Sequence, residues 1–128
     1  MKLIDIQETE KTPKIFLDDE KHIFEMSGRS HPENIRDFYF PVIKVMEKYL
    51  KKISAENQFR LNFKMGYFNS ASAKFIADIL LLVDNYIKKN YNIKIYWFYR
   101  EDDEDMLEAG EEFSELLDVK FNYIMVHV

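Results

Sequence analysis

Apolar and polar residues alternate with a period of two over residues 59–65. Phe59, Leu61, Phe63 and Met65 fall on one side, and Arg60, Asn62 and Lys64 on the other. That period predicts a half-buried β-strand. Beyond residue 74 the period changes. Phe75, Ile76, Ile79, Leu80, Val83, Tyr86 and Ile87 recur at helical spacing and predict a long amphipathic helix. The segment between, Tyr67-Phe68-Asn69-Ser70-Ala71-Ser72-Ala73-Lys74, is then a strand-to-helix turn. Asn69 or Ser70 stands where an N-cap belongs.

The same reading extends to the rest of the chain. Residues 2–7 predict a short first strand, ended by Thr12-Pro13, because proline restricts its predecessor and donates no hydrogen bond. Lys14–Leu17 and His22–Met26 predict two strands of a hairpin around the polar turn Asp18-Asp19-Glu20-Lys21. Gly28-Arg29-Ser30-His31-Pro32-Glu33-Asn34 reads as a turn into a helix. Pro32 suits the first helical turn, Ser30 or His31 the cap, and Ser30 with Glu33 has the spacing of a capping box. Ile35, Phe38 and Tyr39 continue the helical pattern until Pro41, where a break or kink is expected. A second helical piece runs to about Ile53, with Val42, Val45, Met46, Tyr49 and Leu50 inward and Lys48, Lys51 and Lys52 in its last turn. Asn90-Tyr91-Asn92 ends the central helix, and Ile93–Tyr99 is a strand. The acidic run Glu101–Asp105 opens another helix capped by Asp102 or Asp103, bearing Met106, Leu107, Ala109, Phe113, Leu116 and Leu117. Phe121–Val126 is the last strand.

From residue 59 the order is strand, helix, strand, helix, strand. This predicts an α/β fold with a mixed sheet, its C-terminal half a parallel βαβαβ unit with right-handed crossovers. The polar side of residues 59–65 predicts helices mainly on one face, since sheets covered on both faces carry continuous apolar strands. No linker, repeat or low-complexity stretch divides the 128 residues, so one domain over 1–128 is expected.

Composition narrows the functional classes. Aromatic residues reach 16%, a high value; much of that is expected to fill the core and some to mark a protein contact surface. A net charge of −5 argues against a general nucleic-acid or anionic-membrane binder. There is no cysteine, hence no disulfide and no thiolate metal site. The first residues, Met1-Lys2-Leu3-Ile4-Asp5, lack the apolar run of a signal peptide, and no run approaches the roughly 18 apolar residues of a membrane span. The expectation is a cytoplasmic protein.

Three places carry candidate chemistry. Ser70 and Ser72 lie at the positive end of the central helix, where free N–H groups and the macrodipole favour a phosphate. One hydroxyl serves as a cap or small first-turn residue, or one is a phosphorylation site. The acidic run 101–105 offers hard oxygen ligands, but its spacing matches no calcium loop, and acidic residues at a helix start follow from the dipole alone. A partner-binding acidic patch is the better functional reading of this run, and a small metal- or ligand-binding domain using it with a histidine is the alternative from another class. Arg29 and Asn34 are turn residues, or contacts to a partner or phosphate, to which arginine is suited. His22, His31 and His127 have no paired ligand spacing. Ser70 lacks a Gly-x-Ser-x-Gly elbow and there is no glycine-rich phosphate loop, so neither an enzyme nor a cofactor is expected.

Taken together, Gly28–Asn34, Tyr67–Lys74 and Trp97-Phe98-Tyr99 followed by Asp102-Asp103-Glu104-Asp105-Met106 resemble the SiaC family of bacterial regulatory phosphoproteins, as does the early Thr12-Pro13. The resemblance covers nearly the whole chain. It implies a single STAS-like domain of the anti-sigma-factor-antagonist type and a non-enzymatic partner switch. In such systems a dedicated protein kinase phosphorylates a hydroxyl in an Asn-Thr-Ser-Ser type turn, and a metal-dependent serine/threonine phosphatase removes it. The unmodified form binds and stimulates a diguanylate cyclase, which places the family in cyclic-di-GMP signalling. By position the modified residue is Ser70, with Ser72 as the alternative. Serine replaces the family's usual threonine, and the next position, Ala71, has lost its hydroxyl. The implied contact surface is Tyr67, Asn69, Ser70, Ser72 and Lys74 with Arg29, Ser30, Glu33 and Asn34. A structural adaptor of the same fold that is never phosphorylated is the remaining alternative.

Overall fold

The alternating stretch at residue 59 becomes part of a ten-residue inner strand of a six-stranded sheet. The computed structural model describes residues 1–128. In chain order the elements are β1 (Lys2–Ile6), β2 (Lys14–Asp18), β3 (Ile23–Ser30), α1 (Ile35–Lys52), β4 (Phe59–Phe68), α2 (Ser70–Ile87), β5 (Ile93–Arg100), α3 (Glu104–Leu117) and β6 (Phe121–Val126). Strand order in space follows the sequence. β1–β2 and β2–β3 pair antiparallel; β3–β4, β4–β5 and β5–β6 pair parallel. Successive right-handed crossovers to the next strand set all three helices on one face. There α1 meets α2, and α2 meets α3. The expected α/β mixed sheet with a parallel C-terminal half is what forms.

All 25 buried apolar side chains belong to one cluster, so a single core lies between sheet and helices. Phe24, Phe59, Phe63 and Trp97 are fully buried in it. The opposite sheet face carries no helix but is not bare. The Arg60 guanidinium lies 3.8 Å from the Tyr96 ring centroid, and its Nε donates to Asn62 Oδ1 at 2.9 Å. The Lys64 ammonium pairs with Glu25 at 2.9 Å over the Phe98 ring. Asn62, on the polar side of the alternation, is therefore buried. Long charged side chains lie flat across aromatic rings there, with their stems on apolar surface.

Several boundaries differ from expectation. α1 is one continuous helix with Pro41 inside it; neither a break nor a second helical piece occurs. Burial of Tyr39, Val42, Met46, Tyr49 and Leu50 along one stripe outweighs the hydrogen bond that Pro41 cannot donate. Neither Ser30 nor His31 caps α1. Ser30 ends β3 and is buried, Pro32 precedes the helix, and Asn34 at the N-cap makes no side-chain capping bond. The Ser30–Glu33 capping box is likewise absent: Glu33 instead accepts from Lys11 Nζ at 2.6 Å. Leu116, counted with the apolar face of α3, is 80% exposed.

A shift between β3 and β4 has the largest consequence. Gly28 faces Met65 and Arg29 faces Tyr67, so Gly66 is an extra residue in β4. A bulge of this kind reverses the alternation beyond it. Strict alternation from Phe59 would bury Tyr67 and expose Phe68. Instead Phe68 packs on Trp97 and Phe113, and Tyr67 is 41% exposed.

Candidate functional site

The C-terminal ends of β3 and β4 and the first turn of α2 meet at one end of the sheet. The Asn69 N–H donates to the Ser30 carbonyl at 3.1 Å, which ties the two strand ends together. Asn69 is the N-cap of α2: its Oδ1 accepts from the Ser72 N–H at 2.9 Å. One orphan donor of the first turn is thereby satisfied, while the N–H groups of Ser70 and Ala71 have no helical acceptor.

The two serines of this turn have opposite environments. Ser72 is completely buried. Its Oγ donates to the Ser30 carbonyl at 3.0 Å and lies 2.8 Å from Ser30 Oγ, which is 2.5 Å from the Tyr39 hydroxyl. Counting protons orders the chain. Ser72 spends its hydrogen on the carbonyl, so Ser30 donates to Ser72, and Tyr39 donates to Ser30. Burial pushes the Tyr39 hydroxyl up to about 12, which keeps that proton in place at neutral pH. Phe75 of α2 stacks on Tyr39 with ring centroids 5.2 Å apart. Ser72 is thus a structural tie between β3, α1 and α2.

Ser70, by contrast, is exposed and its hydroxyl has no hydrogen-bond partner within the chain. It is the first residue of α2, and the first turn of that helix carries no acidic side chain. Lys74, one turn further on the same helix face, is exposed too. On the strand side, the Arg29 guanidinium lies 4.8 Å from the Tyr67 ring centroid, and the His31 ring meets the same ring edge-to-face at 5.9 Å. An exposed aromatic ring and an exposed guanidinium, stacked on one another, therefore border the turn.

The structure brings Arg29, Ser30, Tyr67, Asn69, Ser70 and Ser72 together, with Lys74 at the margin. Glu33 and Asn34 lie in the connection to α1: Glu33 is engaged by Lys11, and Asn34 Nδ2 donates to Asp37 at 2.7 Å. Tyr39 and Phe75 belong to the site's support and were not singled out from sequence. Tyr39 occupies a helical core position like many others, and no local signal marks its hydroxyl as part of a buried chain.

In the acidic run each group bordering the helix start has a local task. Asp103 caps α3 by accepting from the Met106 N–H at 3.0 Å. Asp102 pairs with Arg100 at 3.2 Å, and the guanidinium holds its carboxyl below the usual range. Glu101 accepts from the Val128 N–H at 3.0 Å and from His127 at 3.2 Å, which lowers its carboxyl as well. No three histidine, cysteine or acidic side chains come together as a metal cage.

Comparison with known proteins agrees over the whole chain. A protein-family model described as SiaC family regulatory phosphoprotein matches residues 6–126. An uncharacterised protein of Pseudomonas aeruginosa strain UCBPP-PA14 is 30% identical over 107 residues, covering 84% of this chain and 83% of that protein. The crystal structure of apo-SiaC from P. aeruginosa superposes with a TM-score of 0.83 at 28% identity, covering 98% of each chain. A chain in the crystal structure of the diguanylate cyclase SiaD in complex with its activator SiaC, from the same organism, superposes with a TM-score of 0.87 at 28% identity, covering 98% of this chain and 99% of that one.

Proposed function

This chain belongs to the SiaC family of regulatory phosphoproteins, and from that premise we propose that it is a non-enzymatic partner switch controlled by phosphorylation of Ser70. The unmodified form binds a protein target through the start of α2 and the ends of β3 and β4. The proposed target is a diguanylate cyclase, because SiaC is the activator of SiaD in the complex that this fold matches. A protein kinase adds the phosphate and a metal-dependent serine/threonine phosphatase removes it.

The observation that carries the reading is the contrast between the two hydroxyls. Ser70 is exposed, without an internal bond, at a helix end that stabilises negative charge. Ser72 is fully buried and bonded on both sides, so a kinase reaches it only by unfolding the turn. The alternative site is therefore the less favoured of the two. A phosphate on Ser70 adds about −1.5 to −2 charge and a desolvation cost to the contact surface. Lys74, one helical turn on from Ser70, and Arg29, at the end of β3, are exposed cationic groups of the same surface. No helix of the structure is long and apolar enough to cross a membrane.

The test is a pull-down of the target, with cyclase activity as readout, using wild type, Ser70→Ala and Ser70→Asp. Binding and stimulation by wild type and Ser70→Ala, with loss in Ser70→Asp, are the expected results. Phosphopeptide mapping of the protein from its own cells should place one phosphate on Ser70. Ser70→Asp binding the target as well as wild type would overturn the charge-based switch.

A further inference from the structure

The two edges of the sheet are built differently. β1, at one edge, is protected. Its pairing with β2 is irregular between Lys2 and Ile4, Lys2 pairs with Asp5 at 3.7 Å, and the terminal amine beside it is held by Asp19 at 2.9 Å. Irregular register and charge are devices that stop an edge from recruiting another strand. β6, at the other edge, has none of them. Its sequence, Phe121-Asn122-Tyr123-Ile124-Met125-Val126, contains no charge, proline or glycine, and it pairs with β5 in unbroken register along its length. Tyr123, Met125 and Val126 are 38%, 45% and 43% exposed.

The free backbone groups can be assigned. The Glu101 N–H donates to the Val126 carbonyl at 2.9 Å, so Val126 turns its polar groups toward β5. Alternation gives the same direction to Ile124 and Asn122, and the opposite one to Phe121, Tyr123 and Met125. Those three residues present a row of unpaired N–H and C=O groups along the edge. We propose that the β6 edge is a homodimer interface, in which two copies pair their β6 strands antiparallel into one continuous twelve-stranded sheet.

A second copy fits because the edge is self-complementary. A two-fold axis perpendicular to the sheet through Tyr123 sets the two Tyr123 residues opposite one another and each Phe121 opposite a Met125. All are outward-pointing residues on the same sheet face, so they form hydrogen-bonded pairs. Asn122 then faces Ile124 on the other side. No charge is buried, and the helices of both copies lie on the same face.

Sedimentation velocity over a range of concentrations tests this, on wild type, Met125→Pro and Tyr123→Lys, with thermal melts to verify folding. Met125→Pro deletes only an outward donor, which an edge strand tolerates. Tyr123→Lys opposes two like charges across the axis. The expected result is a wild-type monomer–dimer equilibrium whose dissociation constant rises about tenfold or more in each variant. Hydrogen exchange on wild type provides a measurement independent of the variants: the amides of Tyr123 and Met125 should slow as concentration rises. A wild-type protein that stays monomeric overturns the proposal, including the case in which the edge takes a strand of another protein. So do variants that dimerise as wild type does, or edge amides that exchange at a concentration-independent rate.

Discussion

Ser70→Asp and Ser72→Asp introduce the same carboxylate two residues apart and should move stability in opposite directions. Ser70 is exposed at the first position of α2, where no acidic side chain opposes the helix dipole. A carboxylate there is worth about 0.3–1 kcal/mol at low ionic strength. For a chain of this size that corresponds to a melting temperature higher by roughly 1–5 °C. The gain should shrink at about 1 M salt, where the Debye length falls to about 3 Å. Ser72 has no exposed surface and no cation beside it, only Ser30 and Tyr39. A carboxylate forced into that place is an uncompensated buried charge, costing about 3–5 kcal/mol. Ser72→Asp should therefore melt lower by roughly 10 °C or more. The assay is calorimetric melting at low and high salt, run alongside target binding. Under the proposed function Ser70→Asp folds better and binds worse, which separates loss of contact from loss of fold. A Ser70→Asp protein that melts below wild type at low salt, or a Ser72→Asp protein that melts with it, would refute the assignment of the two environments.

Two further substitutions probe the core and the hairpin. At Gly110 of α3 an added Cβ would come within 2.5 Å of Trp97 Cδ1 and Nε1, and Trp97 is fully buried with its Nε1–H donated to the Met106 carbonyl at 2.9 Å. Gly110→Ala should destabilise the protein by about 1–3 kcal/mol through overpacking and shift the tryptophan fluorescence, both measurable in one urea titration. Asp18 accepts from the N–H groups of Lys21 at 3.0 Å and Glu20 at 2.8 Å, and these bonds hold its carboxyl below the usual range. A carboxyl with a depressed folded value stabilises fully above its unfolded value of about 3.9 and loses that contribution as pH falls through the folded one. Asp18→Asn should therefore flatten the loss of stability seen below about pH 4 in acid titrations followed by circular dichroism.

The hydrophobic pattern by itself determined the element types, because periods of two and 3.6 residues are properties of local backbone geometry. It gave every strand, the presence of α2 and α3 and the parallel C-terminal half, and it narrowed the caps to Asn69 or Ser70 and Asp102 or Asp103, between which the structure selects Asn69 and Asp103. The strand-to-helix junction was legible for the same reason, since it is where one period gives way to the other, but it is shorter than the expected Tyr67–Lys74 turn: β4 runs on to Phe68 and α2 begins at Ser70. Pro41 misled because its cost is local, whereas the burial that overrides it comes from distant contacts of α1. Ser30 misled similarly: as a local signal it is a cap, but pairing with β4 draws it into β3 and buries it. Which of two nearby hydroxyls is free and which is bonded was beyond the sequence, because the partner of Ser72, Ser30, lies 42 positions away and is itself bonded to Tyr39 of α1. The outward turn of Tyr67 was beyond it too. It rests on one extra residue at Gly66, and only the register against β3 reveals that residue as a bulge. The sequence determines what each segment is. Long-range pairing decides which side chains of the turn face water and which are bonded in the core.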